Sequence, residues 1–311
     1  MSDMQPAMNR RSFLNSSLKG GVALAGAALL NPFVAHAIAP FKRPGRPRCQ
    51  LSLAAYSFRD TFKHTDPARR ISMEDFIDYC ADHGCAGAEL TSYYFPETFG
   101  NDYLIKLKRH AFLRGIAISG SAVGNKFTLP PGPPRDEQIA MVKKWVDYCV
   151  VLGAPHIRVF AGEAQDKDVA VARRLCIEAL EECGEYAGRY GVFLGVENHG
   201  GIVAEPKDLL EIVQAVKSPW VGVNLDTGNF HTDDPYADLA RCAPFAVNVQ
   251  VKVELKRRGQ KDSEPSDLNR LAKLLRDANY QGFVALEYEA KSDPWQAVPE
   301  LLTKLGDALR G

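Results

Sequence analysis

The chain reads as a single (β/α)8 barrel, and three observations in its sequence predict this. From Gln50 onward, eight short apolar runs alternate with eight helical patterns. No second Pro/Gly-rich linker breaks that alternation, so residues 49–311 are assigned to one domain. The main alternative is a doubly wound open sheet, and no GxGxxG follows the first run to support it.

In order along the chain, the predicted strands are Leu51–Tyr56, Gly87–Leu90, Ile116–Ala122, His156–Phe160, Val192–Glu197, Val221–Asp226, Ala246–Lys252 and Phe283–Glu287. Most are apolar on both faces, as strands of a parallel sheet covered by helices must be. The predicted helices between and after them are Met73–Asp82, Tyr103–Leu113, Asp136–Leu152, Asp168–Tyr190, Pro206–Val216, Pro235–Cys242, Ser266–Ala278 and Pro294–Leu309. Ser72 with Glu74 and Asp75 opens the first helix, Glu205-Pro206 the fifth and Asp234-Pro235 the sixth. These combine capping oxygens with proline in the first turn. Gly84, Gly115, Gly153 and Gly191 follow helices and precede strands, where C-caps belong.

The first 37 residues are assigned to a signal peptide rather than to the fold. Asn9-Arg10-Arg11-Ser12-Phe13-Leu14 is a twin-arginine pattern, Gly21 to Leu30 is mildly apolar, and Ala35-His36-Ala37 is a small-x-small cleavage site. The apolar stretch is too short for a membrane anchor. The expected location is therefore periplasmic or otherwise extracytoplasmic. Residues 38–48 (IAPFKRPGRPR) are Pro-rich and basic and read as a flexible arm.

Lysine plus arginine and aspartate plus glutamate number 38 each, so the formal net charge is zero. That argues against nucleic acid as a partner, because neutralising phosphates requires a basic surface. The seven cysteines show no CxxC spacing and read as buried free thiols rather than a zinc-cysteine site.

Chemistry concentrates at the ends of the last four strands. Glu197, Asp226, Gln250 and Glu287 end successive apolar runs, spaced 29, 24 and 37 residues apart, about one strand-plus-helix unit each. In a closed barrel, four oxygen donors so placed are expected to converge on a point at the C-terminal mouth. Period two puts Gly195 and His199 on the face of Glu197, Asn224 on that of Asp226, Asn248 and Lys252 on that of Gln250, and Ala285 and Glu289 on that of Glu287. Carboxylates crowded in a buried mouth repel one another unless a cation sits among them, which points to a divalent metal. The bland alternative is that each acid only caps the helix that follows it.

Val196-Glu197-Asn198-His199, Asn224-Leu225-Asp226-Thr227-Gly228-Asn229, Asn248-Val249-Gln250-Val251-Lys252 and Leu286-Glu287-Tyr288 together resemble the sugar phosphate isomerase/epimerase family, the xylose isomerase-like barrels. Ala55-Tyr56-Ser57-Phe58, Ala88-Glu89-Leu90-Thr91 and Ile157-Arg158-Val159-Phe160 fit the same resemblance, which spans Leu51 to Leu309. It implies one divalent metal held by Glu197, Asp226, Gln250 and Glu287, with both glutamates exchanging protons with a sugar or keto-sugar. It also implies substrate contacts from His199, Asn229, Lys252, Lys256, Tyr56, Glu89 and Arg158. Two positions depart from the family: Gln250 stands where a metal-binding histidine is usual, and Asn229 where a histidine often follows the aspartate. An amide oxygen in place of imidazole favours a hard ion, Mn²⁺ or Mg²⁺, over Co²⁺ or Zn²⁺.

The expected reaction is proton transfer next to a polarised carbonyl through an enediolate, giving a sugar isomerase or epimerase. A lyase eliminating a β-leaving group from a keto-glycoside uses the same site. A non-catalytic carbohydrate-binding protein with a decayed site is the reading from another class. The barrel also resembles metal-dependent abasic-site endonucleases, which neutral charge and export disfavour. Several roles stay open: His199 contacts substrate or orients Glu197, His231 faces the pocket or solvent, and Lys252 and Lys256 meet a substrate oxygen or only solvent. Tyr93, Tyr94 and Phe95 either stack on a sugar or pack under a loop. Whether the protein forms a homo-oligomer is likewise open.

Overall fold

The computed structural model describes residues 38–164 and 168–311. The expected signal peptide lies outside the described residues. Eight parallel strands close into a barrel: β1 Arg48–Ala54, β2 Gly87–Thr91, β3 Ala117–Ala122, β4 His156–Phe160, β5 Phe193–Glu197, β6 Val221–Asp226, β7 Ala246–Val251 and β8 Gln281–Leu286. Each pairs with the next, and β8 closes onto β1. The predicted fold class is the observed one.

Among the described residues, eight helices of eight residues or more form the outer layer: α1 Met73–Asp82, α2 Asn101–Leu113, α3 Pro133–Leu152, α4 Val169–Tyr190, α5 Pro206–Ala215, α6 Pro235–Cys242, α7 Leu268–Asp277 and α8 Pro294–Arg310. Local chemistry fixes their ends. Ser72 and Asp75 form a reciprocal capping box at the start of α1, and Gly153 and Gly191 end α3 and α4 in the left-handed conformation. The inward faces of the helices press Phe76, Leu104, Val142, Leu180, Ile212, Leu239 and Leu302 against the outside of the barrel, all essentially without solvent contact. Each such side chain contributes roughly 1.5–3 kcal/mol of burial free energy.

Two boundaries differ from expectation in ways that matter at the mouth. β1 stops at Ala54, and Tyr56 falls in a one-turn 3-10 helix, Ala55–Phe58. That turn is tied to the end of β8, because Ser57 Oγ accepts from the Tyr288 amide at 3.0 Å. β7 stops at Val251, because the Lys252 amide donates instead to Thr227 Oγ1 at 3.0 Å.

The Pro-rich stretch read as a flexible arm makes defined contacts with the barrel. Ile38 and Phe41 amides donate to the Gln214 and Pro244 carbonyls, and Asn279 Nδ2 donates to the Arg43 carbonyl. The Phe41 ring meets Phe193 edge-on at 5.8 Å. All seven cysteines are free, and all but Cys49 are buried. Among the described residues, no helix is long and apolar enough to cross a membrane.

Candidate active site

The turn Asp226-Thr227-Gly228-Asn229, which leaves β6, organises the mouth. Asp226 Oδ1 accepts from the Gly228 amide at 2.8 Å, so the aspartate braces its own turn. The Asn198 side chain clips β5 to β6, donating to the Asp226 carbonyl and accepting from its amide, both at 2.9 Å. Gly228 leaves room for the Lys252 stem, because a Cβ there would lie 2.5 Å from Lys252 Cγ. Thr227 holds the Lys252 backbone. The turn thus positions both Asp226 and a lysine aimed at it.

Lys252 Nζ lies 3.3 Å from Asp226 Oδ2, 3.4 Å from Glu287 Oε2 and 2.5 Å from Glu289 Oε2. Asp226 Oδ2 has no hydrogen bond, so the lysine is its ion-pair partner without being a well-directed donor. Glu289 was not among the expected site residues. Its position two beyond Glu287, on the same face, was the signal for it.

Glu197 is held from two other sides. Arg158 Nε is 2.8 Å from its Oε2, and Asn229 Nδ2 donates to its Oε1 at 2.9 Å. Arg158 is itself buried, lying over the Phe160 ring and donating to the Val123 carbonyl and to Tyr93 Oη. Of the three loop aromatics, Tyr93 therefore reaches the site. Tyr94 stacks on Phe62, and Phe95 packs against Phe99, Tyr103 and Trp145.

Gln250 does not join the carboxylates. Its Nε2 donates to Glu89 Oε1 at 2.6 Å, and its Oε1 accepts from Asn224 Nδ2 at 2.6 Å. Asn248 Nδ2 donates to both Glu89 Oε2 and Asn224 Oδ1, each at 2.8 Å. A carboxylate accepts only, so Glu89 fixes which way round each amide sits. Glu89 was expected to touch substrate. Instead it is fully buried with both oxygens taken, and His156 Nε2 stands 3.6 Å from Oε2. His156 is thus part of the packed interior.

Burial dominates the electrostatics. It pushes the Glu197 carboxyl up to about 7, with Arg158 pulling it down and Glu287 pushing it further up. Burial likewise pushes Glu287 up to about 7 against the pull of Lys252, and Asp226 up to about 6 against the same pull. Burial would depress Lys252, but the carboxylates outweigh it and hold it well above the usual lysine range, an ammonium at any physiological pH.

These groups do not fit a divalent metal ion. Gln250 has committed both ends of its amide. Glu197 is engaged by Arg158 and Asn229, and the Lys252 ammonium stands between Asp226 and Glu287. A divalent ion within about 4 Å of that ammonium meets a repulsion of roughly 8 kcal/mol at an effective dielectric of about 20, and it must compete with the ammonium for the same carboxylates. Among the described residues, no three His, Cys, Asp or Glu side chains are grouped to hold a metal. The expected convergence of four oxygen donors is replaced by three carboxylates around a lysine, with a fourth held by an arginine.

Two cavities border the cluster. One, of about 320 Å³, is lined by Glu197, His199, Asn125, Lys126, Thr128 and Phe160, among others. The other, of about 220 Å³, is lined by Lys252, Asn229, His231, Glu289 and neighbours. His199 packs on the Phe160 ring with centroids 4.7 Å apart and so joins Glu197 in the first cavity. Tyr56 sits with its ring centroid 5.8 Å from Lys252 Nζ. Lys256 is half-buried beside a two-residue ladder, Glu254–Leu255 with Glu264–Pro265, and lines neither cavity. That ladder folds the loop after β7 onto itself and keeps Lys256 apart from the carboxylate cluster.

Residues 77–305 match the family model of the xylose isomerase-like TIM barrel. No curated protein matches. Among solved structures the chain is similar to D-psicose 3-epimerase in the presence of D-fructose, with 17% identity, TM-score 0.67, and coverage of 84% of this chain and 97% of that one. It is similar to 3-keto-D-glucoside 4-epimerase from E. coli, with 15% identity, TM-score 0.64, and coverage of 84% and 100%. It is also similar to the IolI protein with a zinc atom, with 16% identity, TM-score 0.65, and coverage of 83% and 96%. At these identities the likeness is one of fold.

Proposed function

We propose, because the chain belongs to the xylose isomerase-like TIM barrel family, that it is a sugar isomerase or epimerase moving a proton next to a substrate carbonyl. The observation that carries this reading is the pair Glu197 and Glu287, two buried carboxyls whose charges interact and which are both pushed up to about 7. Near neutral pH such a pair shares protons, one group ionised as base and the other protonated as acid. The ionised glutamate takes the proton from the carbon beside the carbonyl, and the C–H electrons form the enediolate. The other glutamate returns a proton, to the same carbon for epimerisation or to the former carbonyl carbon for isomerisation. In isomerisation the enediolate's hydroxyl proton passes to the former carbonyl oxygen, and the carbonyl forms on the neighbouring carbon. Arg158 and Asn229 hold Glu197 in place, and His199 borders the same cavity. No step is drawn through Mn²⁺, Mg²⁺ or another divalent ion, because the donors do not fit one.

The names of two similar structures, a ketose epimerase and a keto-glucoside epimerase, support a ketose or keto-sugar as substrate class. Two cavities, one lined by Glu197 and the other by its hydrogen-bond partner Asn229, favour one second reading, a lyase acting on a keto-glycoside. There the same enolate expels the aglycone as an alcohol, which leaves with a proton from the acid. The twin-arginine pattern accords with either reaction taking place outside the cytoplasm, and fractionating cells that express the full chain tests that.

The experiment is incubation with ketoses, aldoses and 3-keto-glycosides in D₂O, followed by NMR. Deuterium entering at the carbon beside the carbonyl is the expected result. Aglycone release without exchange into free sugars selects the lyase. Saturable sugar binding with neither outcome selects a carbohydrate-binding protein. Wild-type exchange in both Glu197→Gln and Glu287→Gln removes the proposed roles.

A further inference from the structure

We propose that the Lys252 ammonium is the resident cation of this site: it takes the place of a divalent metal ion and donates a hydrogen bond to the substrate oxygen that becomes negative on enolisation. The catalytic half of this inference rests on the proton-transfer reading above; the binding half does not.

Four observations carry it. Lys252 Nζ sits among three carboxylate oxygens, at 2.5, 3.3 and 3.4 Å. An ammonium has three hydrogens, and only the contact to the half-exposed Glu289 is short. The two contacts to buried Asp226 and Glu287 are long, which leaves hydrogens to be taken up by an incoming oxygen. Second, the lysine is placed rather than incidental: its amide is held by Thr227, and its stem crosses the face of Gly228. Both belong to the turn that carries Asp226. Third, Lys252 lines the cavity of about 220 Å³, so a small substrate reaches it. Fourth, the position best suited to complete a metal cage, Gln250, has both amide ends bound to Glu89 and Asn224.

The chemistry balances without a further reagent. A glutamate forms an O–H bond as the substrate C–H bond breaks, and the electron pair moves through carbon to the carbonyl oxygen. The charge that develops there meets the ammonium, while the proton stays on the glutamate until the second transfer. Lys252 itself neither gains nor loses a proton. A preorganised donor aimed at a developing oxyanion contributes about 10²–10³-fold in rate.

The test uses the full mature protein and Mn²⁺ alone as the metal probe. Calorimetric titration with MnCl₂ and elemental analysis after dialysis are expected to show no stoichiometric Mn²⁺, and exchange in D₂O is expected to be unchanged by EDTA. Lys252→Met, which keeps the stem, is expected to lower kcat about 10²–10³-fold with a smaller change in KM and to acquire Mn²⁺ binding that Asp226→Asn abolishes. One equivalent of Mn²⁺ bound by the wild type and lost in Asp226→Asn overturns the inference, as does wild-type kcat in Lys252→Met. If Lys252→Met does not fold, the wild-type titration decides alone. Absence of exchange with every sugar offered counts against the isomerase reading, whereas the Mn²⁺ titration still decides whether Lys252 stands in for the metal.

Discussion

Glu89 and Glu287 are both buried glutamates inside one barrel, yet the oxygens of the first are both hydrogen-bonded and those of the second are not. Glu89 accepts from Gln250 and Asn248, and these link through Asn224 into a closed circuit of amides. Glu287 has an ion-pair contact to Lys252 at 3.4 Å, and burial drives its carboxyl up to about 7. That circuit occupies both oxygens of Glu89, leaves only Asn248 Oδ1 without a partner, and serves as scaffold. A cluster with long contacts, an unbonded Asp226 Oδ2 and cavities beside it is poised to accept a ligand. The comparison separates residues that hold the site from those that act in it.

The largest effect expected from that distinction is on rate. Glu287→Gln keeps the side-chain shape and removes the proton carrier, so proton exchange should fall by about 10²–10⁴-fold while the melting temperature holds or rises. Rates come from deuterium incorporation and stability from a thermal melt. A matching loss of both would place Glu287 with the scaffold.

Glu89→Leu should do the reverse. It leaves the amide donors of Gln250 and Asn248 buried without acceptors, and stability should fall by roughly 3–5 kcal/mol, read from urea unfolding. Any loss of rate should then track the unfolded fraction. A stable but inactive Glu89→Leu would instead show that the circuit's carboxylate acts on substrate, as the sequence had suggested.

Much of this contrast was legible in the sequence, and the illegible part has a physical cause. Period two in strands put Asn224, Asn248, Gln250 and Lys252 inside the barrel, and strand ends marked Glu197, Asp226 and Glu287 as mouth residues. Which inward groups bond to which was not legible. The Glu89–Gln250 and Glu89–Asn248 bonds span 161 and 159 residues and cross between β2 and β7, and no local pattern encodes such a pairing. Lys252 was legible only as a candidate, because its target is set by how its stem passes Gly228 and not by its own neighbours in sequence. The arm at residues 38–48 was misread for a related reason: proline and basic residues signal a linker, whereas Phe41 docks on a ring 152 positions away.

The pH dependence sharpens the comparison at a similar or slightly smaller scale. Between pH about 4.5 and 7 the folded protein keeps a proton on Glu287 that the unfolded chain has released. That proton binding adds stability at pH below about 4.5, and the contribution is lost as pH rises through about 7. Glu287→Gln cannot ionise, so its stability relative to wild type should rise between about pH 5 and pH 8, by on the order of 3 kcal/mol. Melting curves of both proteins across that range check it, and a flat difference would mean that Glu287 titrates alike in the folded and unfolded chains.

The smallest effect concerns Asn229, which lines the smaller cavity and donates to Glu197 Oε1. A hydrogen bond to an ionised group contributes roughly 1.5–3 kcal/mol, and the partial exposure of Asn229 puts it at the low end. Arg158 remains on the other oxygen, so Asn229→Ala should leave Glu197 in place but favour its protonated form. The pH at half-maximal exchange should then move upward by about one unit, with little change in the maximal rate or in melting temperature. That outcome would make Asn229 a residue that tunes the proton affinity of Glu197. A lower maximal rate with an unmoved profile would instead give it a substrate contact, the role expected from its place in the Asp226-Thr227-Gly228-Asn229 motif.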